Sequence, residues 1–266
     1  MTTLTFLGTG GGRFVTLSQE RSTGGLYVDD GARLHIDPGP GALAALRRNR
    51  IDPQDTDAIL ISHCHPDHYS NAEPLIEGIA SGRNKGKGML LASRSVIKGK
   101  GGIGPAISRY HQNKVSRVVQ MRRGDTFRIG DLGIRATRSF HSDPTTIGFR
   151  LRTRNGVISY VADTEYKGEL VRDHRGARVL VLATTRPLNA RIPHHLSTED
   201  AARFASIVKP ELVMLTHMGK RFLMDDPSKQ ADWIYNETGV KTIAALDDMT
   251  VEIEDEIFVR FPGGRV

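Results

Sequence analysis

The 266-residue sequence predicts an α/β fold of the mixed, α+β kind, with two mixed β-sheets flanked by helices. Three observations carry this. Short apolar runs bounded by Gly, Asp or Pro recur from end to end, as strands do. Amphipathic stretches of helical period fit between several of them. Two regions, near the N-terminus and between 115 and 162, carry strands with no helix between, which argues against pure βαβ winding.

In chain order the strands read "TLTFLG", "LYVDDGARLHIDPG", "DAILIS", "MLLAS", "VSRVVQM", "GIRATRSF", "VISYVAD", "RVLVLAT", "ELVMLTH" and "KTIAALDD". Helices are expected at roughly 41–48, 70–79, 105–112, 198–208 and 227–237. The last two have start signals: Ser197 with Asp200 forms a capping box, and Pro227 sits in a first turn after Asp226. The Gly-rich "LGTGGGR" lacks the Gly-x-x-x-x-Gly-Lys spacing of a phosphate cradle. The following "RFVTLSQERSTGG" is not expected to open as a helix, so this stretch reads as a turn or flexible lip at a pocket. Segment 81–105 is the loosest and most basic part, and its two Gly/Lys stretches are expected as mobile loops around one strand. No repeat or linker interrupts the pattern, and one domain over 1–266 accounts for the length.

The formal net charge is +7, concentrated at Arg47, Arg48 and Arg50, at Arg83, Lys85 and Lys87, at Lys98 and Lys100, and at Arg122 and Arg123. Such a balance favours an anionic substrate or partner. No apolar run is long enough to span a bilayer, and "MTTLTFLGTG" lacks the pattern of a secretion signal, so a cytoplasmic protein with no membrane partner is expected. A single cysteine, Cys64, agrees with a reducing compartment.

The stretch "ISHCHPDHYS" places His63, His65, Asp67 and His68 within six positions at the end of the strand "DAILIS". If the extended chain persists, its period of two points His63 and His65 the same way and sends Cys64 to the opposite side. Pro66 then ends strand pairing, and Asp67 and His68 fall at the turn into the next helix. The spacing therefore suggests two adjacent metal sites, which need further ligands. Three other strands end in suitable residues: His141, Asp163 and His217. Imidazole and carboxylate donors of this kind suit zinc as the default, with manganese or iron as alternatives.

The combination "HCHPDH", then His141, Asp163 and His217 in that order, resembles the metallo-β-lactamase superfamily over the whole chain. The resemblance implies a four-layer αβ/βα sandwich with two divalent metal ions between the sheets. It assigns His63, His65 and His141 to one ion, Asp67, His68 and His217 to the other, and Asp163 as the bridge. Asp37 in "HIDPG" matches the aspartate that orients a ligand imidazole, and it equally fits a turn-forming residue before proline.

"FLGTGGGR", "HHLSTEDAARFA" and "LTHMGKRF" resemble the ribonuclease Z and phosphonate-pathway phosphodiesterase branch. That branch implies hydrolysis of a phosphodiester (RNA, nucleotide or cyclic phosphate) by a hydroxide generated between the ions. Asp67, Asp163 and His195 are then the catalytic candidates. His195 also precedes the helix at 198–208, whose N-terminus favours an anion. Two departures stand out. Nothing between the metal motif and His141 is long enough for a dedicated transfer-RNA-binding arm. The glutamate that partners the catalytic histidine in that branch is missing, and Thr184, Thr185 and Arg186 occupy its place. Arg186, with Thr185, is a candidate for binding substrate, since a guanidinium can hold a phosphate bidentately. The alternatives are a transfer-RNA 3′-processing endoribonuclease, an ester, thioester or lactam hydrolase, and a non-catalytic nucleic-acid-binding or metal-sensing module. The expected partner is an anionic phosphodiester, RNA among the candidates, and a homodimer is the default assembly.

Overall fold

Every one of these apolar runs contains a strand in the computed structural model, which describes residues 1–80, 87–102 and 104–263. The first half comprises β1 (Thr2–Phe6), α1 (Gly12–Ser18), β2 (Leu26–Asp29), β3 (Arg33–Ile36), α2 (Ala42–Arg48), β4 (Ala58–Ile61), α3 (Pro66–Tyr69), α4 (Ala72–Ala80), β5 (Met89–Ala92), α5 (Arg94–Lys98), α6 (Arg109–Gln112) and β6 (Arg117–Gln120). There follow β7 (Thr126–Ile129), β8 (Leu132–Arg138), β9 (Ile147–Thr153), β10 (Gly156–Val161), β11 (Val179–Arg186), β12 (Leu196–Ser197), α7 (Thr198–Val208), β13 (Leu212–Thr216), α8 (Lys220–Met224), α9 (Pro227–Thr238), β14 (Thr242–Ala244), β15 (Thr250–Ile253) and β16 (Ile257–Arg260). Among these residues, no helix is long and apolar enough to cross a membrane.

Two mixed sheets result. The first runs β16-β15-β1-β2-β3-β4-β5-β6 and the second β14-β13-β11-β10-β9-β8-β7, with β12 paired to β11. Strands β3 to β6 are mutually parallel, as are β10, β11, β13 and β14. Alternation along each parallel strand decides the layers. Ala58 and Leu60 of β4 meet Val179 and Val181 of β11 and Leu212 and Met214 of β13 in the core between the sheets. The intervening Ile59 and Ile61 turn outward onto Leu75, Ile76 and Ile79 of α4. On the far side Leu180 and Leu182 pack against Phe204 and Ala205 of α7. Strands buried on both faces read as unbroken apolar runs, which is why these were legible. The four-layer αβ/βα sandwich follows.

Helix α7 opens with both capping-box bonds made between Ser197 and Asp200, and the Asp226 side chain caps α9 ahead of Pro227. Three expectations need correction. The helix expected over 105–112 spans only Arg109–Gln112: the Ser108 hydroxyl caps it by accepting from His111 N–H, while Ser108 N–H donates to Glu73. The stretch after the glycines is helical as α1. Only its Val15 is buried, and Phe14 and Leu17 are exposed, so no apolar stripe announces it. Its start is set by a distant residue, because Asp67 Oδ2 accepts from Gly12 N–H at 2.9 Å. In segment 81–105, residues 81–86, including Arg83 and Lys85, and residue 103 lie outside the described residues. Part of the remainder is the helix α5 rather than loop.

Candidate metal centre

Strand β4 delivers Ser62 and His63 fully buried, and the chain stays extended through His65, whose φ and ψ are −80° and 138°. Pro66 then starts α3, so Asp67 and His68 project from a helical turn rather than from the strand. In the second sheet β10, β11 and β13 run parallel, and β8 runs the same way across the antiparallel β9. Their C-terminal ends therefore share one edge, which carries His141, Asp163, Thr185 and His217. This is the edge where parallel sheets usually present ligand-binding groups.

The side chains converge on two points. His65 Nδ1 lies 2.9 Å from His63 Nε2 and 3.1 Å from His141 Nε2, with Asp163 Oδ2 3.8 Å from His141 Nε2. His68 Nε2 lies 3.0 Å from His217 Nε2, and Asp67 Oδ2 is 3.3 Å from His217 Nε2 and 3.7 Å from His68 Nε2. Asp163 also reaches this second group, at 3.3 Å from His217 Nε2 and 3.6 Å from His68 Nε2. All seven residues named as ligands from the sequence are thus brought together, and Asp163 touches both groups. Cys64 is in neither. It is half-buried among apolar residues beneath the loop, with its N–H directed to Asp143.

The chemistry of this donor set fits a divalent cation. The outward nitrogens are occupied: His63 Nδ1 by Ser62 Oγ at 2.9 Å, His68 Nδ1 by Asp37 at 3.0 Å, His141 Nδ1 by the His194 carbonyl at 2.9 Å and His217 Nδ1 by Thr185 Oγ1 at 2.9 Å. A ring that donates its outward N–H turns a lone pair inward. Buried Asp163 Oδ1 has no hydrogen-bond donor. Lone pairs facing lone pairs beside an unsatisfied carboxylate oxygen call for a positive charge between them.

Charge balance agrees. Asp37, Asp67 and Asp163 form one cluster, and among the described residues no lysine or arginine pairs with them. Burial opposes charge on His68, yet Asp67, Asp163 and Asp37 raise its pKa well above the usual histidine value. Burial likewise works against ionised Asp163, but His217 and His68 outweigh it and hold the carboxyl well below its usual range. His63 is instead pushed well below the usual value, chiefly by burial and by His68.

Asp37 organises much of this. It accepts from Ser62 N–H and Oγ–H at 2.7 Å each, from Tyr160 O–H at 2.9 Å and from His68 Nδ1–H. Ser62 in turn takes the His63 Nδ1 proton, so one carboxylate orients an imidazole of each group. Its backbone φ of 51° makes it the turn residue as well, so both sequence readings of Asp37 hold together. His217 (φ 57°) and His194 (φ 67°) share this left-handed conformation, rare for a residue with a side chain and here confined by the packed site. Asp37→Ala is expected to weaken metal affinity about 10- to 100-fold, the usual cost of losing such a partner. Competitive titration against a chromophoric chelator measures it.

Two contributors escaped the sequence reading. Tyr160 is one, a mid-strand aromatic whose ring joins the inter-sheet core. The other is Gly11, where an added Cβ would fall 2.3 Å from the His217 ring. The glycine run is a close-packing surface for the His217 imidazole, tied by Met218 N–H to Thr9 O at 2.8 Å and Gly11 N–H to Met218 O at 3.1 Å.

His195 stands beside both groups, its Nδ1 3.6 Å from Asp163 Oδ2 and 3.3 Å from Thr185 Oγ1. Burial lowers its pKa to about 4, against the pull of Asp163. Thr185 is buried between His217 and His195, whereas Arg186 is half-buried with its Nε donating to Ala190 O at 2.8 Å. All of these open onto a cavity of about 1450 Å³ whose outer wall includes Phe14, Ile192 and Met224.

A family model described as a beta-lactamase superfamily domain matches residues 32–218. An uncharacterised protein of Methanocaldococcus jannaschii is 41% identical over 251 residues, covering 93% of this chain and 94% of that protein. A ribonuclease Z of Methanopyrus kandleri is 29% identical over 196 residues, 72% of this chain and 63% of its own length. Among solved structures, the metallo-beta-lactamase fold protein YhfI from Bacillus subtilis superposes with a TM-score of 0.77. It is 17% identical, with 94% of this chain and 98% of that chain covered, a likeness of fold.

Proposed function

The chain belongs to the beta-lactamase superfamily, whose members are mostly metal-dependent hydrolases, and from that premise we propose that it is a phosphodiesterase working with two divalent ions, zinc by default. The observation that carries this reading is the position of Asp163. It touches both ligand groups and His195, beside a cavity lined by cations. Ions bound there would supply Lewis acidity, polarising a phosphoryl oxygen and making a water acidic enough to lose a proton near neutral pH. His63, His65 and His141 would hold one, Asp67, His68 and His217 the other, and Asp163 both.

The remaining work falls to the chain's own groups. With Nε2 of His217 turned inward, its Nδ1 carries a proton and donates it to Thr185 Oγ1. The Thr185 hydroxyl then has its own hydrogen free for His195 Nδ1, which leaves the His195 proton on Nε2. At about 4 the His195 pKa keeps the ring neutral at pH 7, so it serves as an N–H donor toward the departing oxygen rather than as a standing imidazolium. Thr185 thus takes over the orienting task of the glutamate missing from "ATTR", and its assignment shifts from substrate binding to positioning.

An endoribonuclease is the narrower reading, favoured by the similarity to a protein named ribonuclease Z. A hydrolysis panel on metal-analysed protein separates the readings: an activated phosphodiester, cyclic nucleotides, single-stranded RNA and DNA, a precursor transfer RNA and a thioester. Turnover of the activated diester is expected. Turnover of the thioester alone would sink the proposal, and binding of RNA without cleavage of any substrate would point to a non-catalytic module.

A further inference from the structure

We infer that the substrate carries a second phosphate group, held by Arg186 and Arg221 at the mouth of the metal cavity, beside the scissile diester. The inference rests on the phosphodiesterase reading and narrows its substrate class.

Four cations line this cavity: Arg13, Arg186, Lys220 and Arg221. Among the described residues the only acids lining it, Asp67 and Asp163, are engaged by histidines. Among the described residues none of the four cations has a carboxylate within salt-bridge distance. The adjoining cavity, about 620 Å³, is also basic, but there the charges are mostly matched. Arg138 pairs with Glu169 at 2.7 Å, Lys167 with Glu165 at 2.8 Å and Arg123 with Asp173 at 3.4 Å. Lack of counter-charge therefore distinguishes the metal cavity from its basic neighbour.

Arg186 is the best placed of the four. It closes β11 next to Thr185, and its Nε is anchored on Ala190 O, which orients the guanidinium plane and, among the described residues, leaves the two terminal nitrogens without a hydrogen-bond partner. Arg221 of α8 lines the same cavity, and after burial its charge lowers the Arg186 pKa. Holding two guanidinium groups together without a carboxylate is unfavourable, and an anion between them relieves it. Their planar forks match phosphate oxygens bidentately.

The scissile diester does not fill this role. It carries one negative charge, and with divalent ions in both ligand groups set against Asp37, Asp67, Asp163 and a deprotonated water, it leaves one negative charge for the cations to meet. Cations beyond that are surplus unless the substrate brings a further charge. A neighbouring phosphate, either the next diester of an oligonucleotide or a terminal monoester, supplies it.

The test compares binding of thymidine 5′-monophosphate and thymidine 3′,5′-bisphosphate to the zinc-loaded protein by calorimetry. The wild type should bind the bisphosphate about tenfold or more tightly, and the R186A/R221A double variant should lose that advantage, with R186K/R221K recovering part of it. The dinucleotide pTpT is a third ligand. Tighter binding than the bisphosphate identifies an internal diester as the second group, and weaker binding a terminal monoester. Equal affinity of the wild type for mono- and bisphosphate, or an advantage that survives in R186A/R221A, overturns the inference. The phosphodiesterase reading fails separately: if the wild type binds as expected but hydrolyses neither thymidine 5′-(p-nitrophenyl phosphate) nor its 3′-phosphorylated form, the subsite stands and the reaction does not.

Discussion

Asp163→Ala should lose metal and diester hydrolysis together. Among the described residues Asp163 is the one carboxylate within reach of both candidate ligand groups, at 3.3 Å from His217, 3.6 Å from His68 and 3.8 Å from His141, and it is 2% exposed. Alanine leaves each group with three donors and no link, and leaves His68 and His217 facing an apolar gap. Turnover should fall about a thousandfold or more, roughly 4 kcal/mol of barrier. The stoichiometry of bound metal by elemental analysis should drop alongside. Asp163→Asn separates charge from shape, because it keeps the volume and one oxygen but removes the negative charge. It should retain the fold, measured by circular dichroism, while losing most of the metal. A fully loaded Asp163→Ala protein with unchanged kcat/KM would show that Asp163 bridges nothing the reaction needs.

The candidate ligand set was legible because its signals are local. His63, His65, Asp67 and His68 fall within six residues, and Asp163 and His217 sit just past strands whose ends are buried on both faces, while His141 lies three residues beyond the amphipathic β8. Strand direction then places those ends on one edge, and no long-range information is needed. What escaped is non-local. Asp37 and Tyr160 are 123 residues apart, and only the packed sheets bring the hydroxyl onto the carboxylate. Helix α1 carries one buried residue and takes its starting contact from Asp67, so its own sequence holds no amphipathic period. Strands β7, β9, β15 and β16 also escaped. Residues of β7 and β16 alternate between half-buried and exposed and those of β15 between half-buried and buried, weak apolar signals in short edge-side segments, while the apolar run of β9 is interrupted by Arg150 and Arg152. Gly11 illustrates the limit well: the sequence marked it as a turn or lip, and only the ring of His217 against its missing Cβ explains the residue.

His195→Ala should give the opposite pattern to Asp163→Ala: metal retained, turnover lost. His195 lies outside the two groups as the sequence assigned them, 3.6 Å from Asp163 and bonded to Thr185, and each assigned set is complete without it, although His195 also forms a third cluster with Asp163 and His217 that could hold an ion. The loss should be about a hundredfold to a thousandfold in kcat, the range for a hydrogen-bond donor aimed at developing negative charge. Because the ring is neutral at pH 7, what disappears is an N–H rather than a positive charge. His195→Gln, which keeps an N–H donor, should therefore recover part of the activity. Thr185 supplies the more discriminating test. Thr185→Val removes the hydroxyl that links His217 to His195 while keeping the branched shape. Thr185→Ser keeps the hydroxyl. If the hydroxyl fixes the His195 tautomer, valine should lower kcat with little change in KM, and serine should restore it. A diester whose leaving group is a nitrophenolate needs little protonation, so both His195→Ala and Thr185→Val should be far less impaired with it than with an alkyl leaving group. Equal losses on the two substrates would show that His195 acts in binding or structure rather than on the leaving oxygen.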